Sequence, residues 1–173
     1  NICIGSCIDS NRRRIIYACY NSTGQHVLYC YHIPSGNFYK VMTQSQFTAP
    51  AGLNFSLDHQ LDRNMRVIGD LLIWVEGTTD PRCINIESGI KSNHPSYVTD
   101  AIPYSTPIDY AETTVIKRPP LHRLRPVKLT DSSFVNNFIA NQAFQFTWRY
   151  TYRDGQVSAL APYRDRVNFN NDL

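Results

Sequence analysis

The stretch Phe144–Tyr163, FQFTWRYTYRDGQVSALAPY, decides the fold class. Phe144, Phe146, Trp148, Tyr150 and Tyr152 fall on every second position, with Gln145, Thr147, Arg149 and Thr151 between them. A period of two sends one set to each face of a sheet, so the run predicts a strand with an aromatic side. Arg153-Asp154-Gly155-Gln156 follows, and its glycine supplies the positive φ that a tight hairpin turn demands. Val157, Ala159 and Ala161 alternate on the return, which closes at Pro162, a residue without a donor N–H, and Tyr163.

Working outward, the rest of the chain has the same character. Its 173 residues include 11 Tyr, 8 Phe, 10 Pro and 8 Gly, a load of aromatics and punctuation that favours an all-β fold built of antiparallel meanders. No apolar run approaches the roughly 20 residues of a membrane-spanning helix. The net charge of +3 is mild, and Arg12-Arg13-Arg14, beside a turn, reads as solvated loop. No nucleic-acid partner is expected from it. Five cysteines, Cys3, Cys7, Cys19, Cys30 and Cys83, form no CxxC pair, which suits reduced, packed thiols better than a disulfide framework. The sequence opens on Asn1-Ile2-Cys3-Ile4, already patterned as a strand, and so reads as a segment of a larger polypeptide.

Ile2–Ile8 predicts a strand in which Gly5 leaves room for a neighbouring backbone. Arg14–Tyr20, Val27–Ile33 and Phe38–Met42 follow as strands, separated by Asn21-Ser22-Thr23-Gly24 and Pro34-Ser35-Gly36-Asn37 as turns. Leu53–Leu57, Met65–Ile68, Leu71–Glu76 and Arg82–Glu87 repeat the pattern, and Glu87–Ser92 suits a single helical turn. Ile15-Ile16-Tyr17 and Leu72-Ile73-Trp74 each open a hairpin, a self-similarity in the range of propeller blades. Residues 1–92 are therefore expected to form a blade-like meander module. Residues 93–120, with Pro95, Pro103, Pro107, Pro119 and Pro120, form an extended connector. Residues 121–173 form an incomplete module resembling a fibronectin or immunoglobulin hairpin, with Leu124–Leu129 as an edge strand and an apolar anchor at Phe134, Phe138 and Ile139.

Sites of chemistry are hard to find. Cys3-x3-Cys7 and Cys30-x-His32 invite a zinc reading, but the first spacing matches no common structural-zinc knuckle, so no metal is assigned. Asp58, Asp62, Asp70, Glu76 and Asp80 cluster around turns, where the turn itself explains them better than paired-acid catalysis. No GxSxG, HExxH, GxGxxG or P-loop occurs. Trp74 and Trp148 sit mid-strand, where core burial is the default, while Tyr29, Tyr31 and Tyr39 read as partly exposed. No catalytic residue, cofactor or metal ligand follows from these patterns, and the chain is not expected to be an enzyme.

Two passages carry a resemblance. Leu72-Ile73-Trp74-Val75-Glu76-Gly77 with Asp80-Pro81-Arg82-Cys83-Ile84-Asn85-Ile86-Glu87 resembles a motif of the form LLYWTDG…PPRKINIE. Phe146–Tyr163 resembles a second, of the form FRYRYVYDDGEVSALSPYS. Both occur, in this order, in large tail and collar virion proteins, of the muzzle type, from crAss-like phages infecting Bacteroidota. Ile4-Gly5-Ser6-Cys7 with Arg14-Ile15-Ile16-Tyr17 is similar to the opening of their first blade-like unit, and Val115–Pro120 to their IKPPP-like connector. Val75-Glu76 in place of Thr-Asp, and Cys83 in place of Lys, depart from the pattern.

The resemblance implies a structural virion protein, assembled in the bacterial cytoplasm and resident in the phage tail. It would act through contacts with copies of itself and other tail proteins, with possible host-surface contact. Its motif residues would be Trp74, Gly77, Pro81, Arg82, Phe146, Trp148, Tyr150, Tyr152, Asp154, Gly155, Pro162 and Tyr163. The alternative is a bacterial surface or secreted module that binds glycans or proteins.

Overall fold

Inward-facing Ile16 and Ala18 alternate with outward-facing Ile15, Tyr17 and Cys19 along one strand, and that parity organises the first sheet. In the structure, a computed structural model, β1 (Ile2–Asp9), β2 (Arg14–Tyr20), β3 (Val27–His32) and β4 (Asn37–Thr43) form an antiparallel meander in the order β1-β2-β3-β4. The residues described are 1–77, 79–122, 124–125, 127, 133, 142–152, 155–163 and 167–168. A second antiparallel sheet has the order β5 (Met65–Ile68), β6 (Leu71–Trp74), β7 (Arg82–Asn85). Among the described residues the protein is thus mainly β, with one short helix, α1 (Ile86–Asn93).

The two sheets share one core. Ile4, Ile16, Ala18, Leu28, Val41 and Met42 come from the first, and Met65, Leu72, Trp74 and Ile84 from the second. Ile86 and Ile90 of α1 pack into it as well. Asn85 caps the helix, its side chain accepting the Ser88 N–H at 3.0 Å, and the chain turns from strand to helix at Ile86. This ends the strand expected over Arg82–Glu87 two residues early and lengthens the expected helical turn to eight residues.

Gly5 has the role its position suggested. A β-carbon there would stand 2.6 Å from Leu61 Cβ and 2.8 Å from the Leu61 carbonyl carbon, because the Leu61 N–H donates to Ile4 O at 2.7 Å. Gly89 lets α1 approach β4 in the same way, with Val41 O 2.5 Å from where a β-carbon would lie. Leu53–Leu57 is not the expected strand. Asn54 takes a positive φ of 50°, which breaks the extended run, while Leu53 and Phe55 are buried on either side of it.

The described chain divides into two compact units. The first spans Asn1–Lys117 with Tyr152–Gln156. Residues 93–117 thus lie within the first unit. Tyr104 and Ile108 are buried in its core, Ile108 donates its N–H to Gln46 O at 2.7 Å, and Thr114 bridges to Arg82 on the edge of β7. Buried apolar residues between the prolines hold the segment down, which their spacing alone did not indicate.

The second unit draws on residues 118–151 and 157–168 and pairs β8 (Ala143–Phe144) with β9 (Val167–Asn168). Its hairpin is hydrogen-bonded but irregular. Ser158 N–H donates to Tyr150 O at 3.0 Å, while Tyr150 N–H goes to Ser158 Oγ at 2.9 Å instead of to backbone. Ala161 N–H then reaches Trp148 O at 2.8 Å, one residue out of step with the Tyr150–Ser158 pairing. The serine hydroxyl competes for the ladder, so the two long strands expected over 144–163 reduce, among the described residues of the hairpin, to the single bridge Thr151–Val157. Half of the expected Leu124–Leu129 strand and all of the Phe134, Phe138 and Ile139 anchor lie outside the described residues.

Gly5→Ala is expected to lower unfolding free energy by about 1–3 kcal/mol, the usual cost of overpacking, because the clashing atoms are backbone and Cβ and not a flexible side-chain tip. Urea titration of the variant beside the parent chain measures it, and an unchanged midpoint would mean that the Leu61 loop does not press on β1.

Candidate functional site

Arg14 opens β2 on the same side as Ile16 and Ala18, and it is 2% exposed. This corrects the reading of Arg12-Arg13-Arg14 as solvated loop. Arg12 and Arg13 are exposed at the turn, but strand parity carries Arg14 inside. Its Nε donates to Asp9 Oδ2 at 2.8 Å, and its Nη1 donates to Glu87 Oε1. Its Nη2 stands 3.5 Å from Asp70 Oδ1, to which Arg12 Nε also pairs at 2.7 Å. Asp9 ends β1, Asp70 lies in the β5–β6 turn, and Glu87 sits in the first turn of α1. One guanidinium therefore ties both sheets to the helix. Burial works against its charge, but Glu87, by charge and hydrogen bond, and then Asp9 hold its pKa above the ordinary value.

A cavity of about 240 Å³ opens beside this cluster, bordered by Arg14, Glu87, His32, Tyr39 and Tyr97. Burial, reinforced by Glu87, pushes the Tyr97 phenol up to about 12, so it is a neutral donor at physiological pH. Tyr39 meets Tyr97 edge-on at 5.1 Å between ring centroids.

Trp74 and Arg82 face each other across β6 and β7, and both are fully buried. Arg82 carbon Cζ lies 4.4 Å from the Tyr110 ring centroid, 5.6 Å from that of Trp74 and 5.7 Å from that of Phe47. Its Nη1 donates to Gly52 O at 3.0 Å and its Nη2 to Thr113 Oγ1 at 2.6 Å. Desolvation lowers the Arg82 pKa. Glu76 accepts the Trp74 indole N–H at 2.9 Å and is buried, which raises its carboxyl above the ordinary value despite that bond and the Arg82 charge. Glu76 is thus an interior group and not the turn acid its neighbours suggested.

The remaining motif residues are placed as follows. Gly77 takes a φ of 85°, and Pro81 is exposed, its carbonyl accepting Val115 N–H at 2.9 Å. Gly155 takes a φ of 81° at the hairpin tip, where Tyr152 and Gln156 are linked by Tyr152 N–H to Gln156 O at 2.8 Å. Lys117 Nζ lies over the Tyr152 ring at 4.9 Å. Trp148 is half-buried, donates its indole N–H to His122 O at 2.9 Å and meets Tyr150 edge-on at 5.1 Å. Phe146 stacks on Phe144, and Tyr150, Pro162 and Tyr163 are exposed. Asp154 lies outside the described residues. Trp74 and Arg82 are brought together as one knot; Tyr152 and Gly155 belong to the same unit, and Phe146, Trp148, Tyr150, Pro162 and Tyr163 to the second.

The other face of the first sheet remains to be described. Antiparallel register aligns Ile8, Ile15, Tyr31 and Phe38 in one row, Ser6, Tyr17, Tyr29 and Lys40 in the next, and Cys3, Cys19 and Val27 in a third. Ile8 is 69% exposed and Phe38 64%. Tyr17, Cys19, Tyr29 and Phe38 border a shallow depression of about 410 Å³. Lys40 is the one charged side chain in these rows. Tyr29, Tyr31 and Tyr39 are all half-exposed as expected, the first two on this face and Tyr39 on the other, against Tyr97 and His94. The outer face is thus largely apolar, while the inner one is covered by the core and holds Arg14 and Asp9 at one end.

Among the described residues no group of three or more His, Cys, Asp or Glu is placed to hold a metal ion. Burial pushes the Cys7 and Cys30 thiols up to about 11, so both are protonated at neutral pH. No described helix is long and apolar enough to cross a membrane. Comparison with protein-family models, with curated proteins and with solved structures gives no match.

Arg14→Met is expected to destabilise the chain by about 3–5 kcal/mol in urea titration, since it leaves Asp9 and Glu87 buried without their cation. Arg14→Lys, which keeps the charge but loses the fork, falls between. The Glu76 carboxyl, with its pKa raised by folding, binds its proton more tightly in the folded state. Its contribution is therefore most favourable below its ordinary 4.5 and is lost as the pH rises through the raised value. Stability of the parent relative to Glu76→Gln should fall over that interval and then level; a difference independent of pH would contradict the assignment.

Proposed function

We propose that the chain is a structural protein that works through sheet-to-protein contacts, within a larger assembly. The observation that carries this reading is the outward face of the first sheet, where Ile8, Ile15, Tyr17, Tyr29, Tyr31 and Phe38 are aligned with little charge among them. Aromatic surfaces depleted of charge are what the centres of protein interfaces use.

The particular protein we propose is a muzzle-type tail component of a crAss-like phage, of which this chain is a segment. The support is the resemblance of the Trp74–Glu87 and Phe146–Tyr163 passages, together with the structural parts that their shared residues play. In this reading β1–β4 is one blade-like unit. Strands β5–β7, with Thr114 bridged beside β7, form a second, and the 144–163 hairpin belongs to a fibronectin- or immunoglobulin-like module. Its partners are copies of itself and other tail proteins, and it resides in the virion after assembly in the host cytoplasm.

A second reading, a bacterial surface or secreted binding module, is favoured by the cavity beside Arg14. A guanidinium, a carboxylate and two tyrosines are groups suited to sugar hydroxyls.

Peptide mass spectrometry of gel-separated proteins from purified particles tests the first reading. Peptides of this chain are expected in a larger polypeptide present at virion stoichiometry; their recovery from a free protein of host cells would overturn it and turn attention to glycan binding. Phe38→Asp should reduce incorporation into particles while changing stability of the isolated chain by no more than about 0.5 kcal/mol, the range of surface substitutions. Unimpaired incorporation would remove this face from the assembly.

A further inference from the structure

The outward face holds two thiols in direct register. Cys3 of β1 is the antiparallel partner of Cys19 of β2. Residues opposite each other in such a pair point to the same face, with Cα atoms about 4.5 or 5.5 Å apart. Both separations fall within the roughly 4.4–6.8 Å that disulfides span. Cys3 is exposed, and its thiol donates to Gly5 O at 3.4 Å. Cys19 is half-buried in the depression lined by Tyr17 and Tyr29. The register of β1 on β2 shifts between Cys3 and Gly5, immediately after this pair.

The other cysteines are placed differently. Cys7 and Cys30 are both aligned with Ile16, from opposite sides, so the width of β2 separates them. At about 4.8 Å between neighbouring strands, that puts them beyond disulfide reach. Cys83 is buried in the second sheet and accepts from Gln156 Nε2 at 3.7 Å.

We propose that Cys3 and Cys19 form a redox-active cross-strand dithiol that closes to a disulfide when the protein meets a disulfide oxidant. The Cys3 thiolate attacks one sulfur of glutathione disulfide, forming a mixed disulfide and releasing one glutathione. The Cys19 thiolate then attacks the Cys3 sulfur and releases the second. The dithiol loses two electrons, the oxidant becomes two glutathione thiols, and the two thiol protons end on them. Burial raises the Cys19 pKa, which leaves the exposed Cys3 as the thiol that meets the oxidant first. The bond would staple the outer strand β1 to β2 in oxidising surroundings and stay open in a reducing cytoplasm.

The test is to incubate the native chain with excess glutathione disulfide, block free thiols, digest without reduction and sequence the linked peptides. Cys3 shares a tryptic peptide with Cys7, and Cys19 with Cys30, so fragment ions must assign the bond. The expected product is a Cys3–Cys19 link, two hydrogens lighter than the reduced pair, accompanied by a rise in Tm. In Cys19→Ser, Cys3 should stop at the glutathione adduct with no comparable rise in Tm. Accumulation of that adduct in the parent chain, a link through Cys7, Cys30 or Cys83, or a bond between two chains would each overturn the proposal.

Discussion

Arg14 is the point at which the first unit is tied together. It reaches Asp9 on its neighbouring strand, Glu87 on the helix and the vicinity of Asp70 in the turn of the other sheet. A lone guanidinium removed from water would be prohibitively costly, and two buried carboxylates no less so. Each is tolerable only in the arrangement that brings the others to it. The apolar core supplies the general attraction between the sheets, but it is indifferent to small sliding and rotation. The charged cluster is not, because a displacement that separates one partner leaves another buried and uncompensated. Glu87 is well chosen for a second reason: in the first turn of α1 its charge opposes the positive end of the helix.

Arg82 solves the same problem at the other end of the second sheet by different means. Its charge is held by the faces of Tyr110, Trp74 and Phe47, by Thr113 Oγ1 and by Gly52 O, with the charge of Glu76 acting from near the Trp74 indole. Those groups come from the loops around residues 47–52 and 110–113 and from the neighbouring strand. The requirement to enclose one guanidinium thus recruits segments that have no continuous apolar pattern of their own. Thr113 in turn donates to Tyr110 O at 2.9 Å, so the 3₁₀ turn at Tyr110–Thr113 is fixed by the residues that cover the arginine.

This explains what could be read in the sequence and what could not. Strands β1–β6 were legible because period-two alternation and positive-φ glycines are local, and Gly5 was legible because a strand glycine so often marks a close backbone. The all-β class followed from the same signals. Arg14 was misread because a basic triplet beside a turn has a strong local explanation, and its partner Glu87 lies 73 positions away. One local signal did exist: in RIIYACY the arginine shares parity with Ile16 and Ala18. The packing of the proline-containing stretch from 93 to 117 was not legible for the opposite reason. Its anchors, Tyr104, Ile108 and Thr113, are isolated in sequence and acquire meaning only beside the surfaces they cover.

The distribution of charge and aromatic surface in the first sheet reverses the ordinary one. Arg14, Asp9 and Glu87 lie within, while Ile8, Phe38 and a field of tyrosines lie without. A sheet needs only one covered face to fold, and the inner core already provides it. The outer apolar face therefore adds little to the stability of the isolated unit and makes it more prone to association. The tyrosines temper this, since each keeps a polar tip for water before contact and offers a broad ring on contact. Lys40, at the margin of the rows, is the kind of charge that limits indiscriminate pairing. The cavity beside Arg14 cannot account for this face, because its lining belongs to the inner surface of the same strands. A ligand there would leave the aromatic rows as they are, whereas the protein contact we propose would cover them.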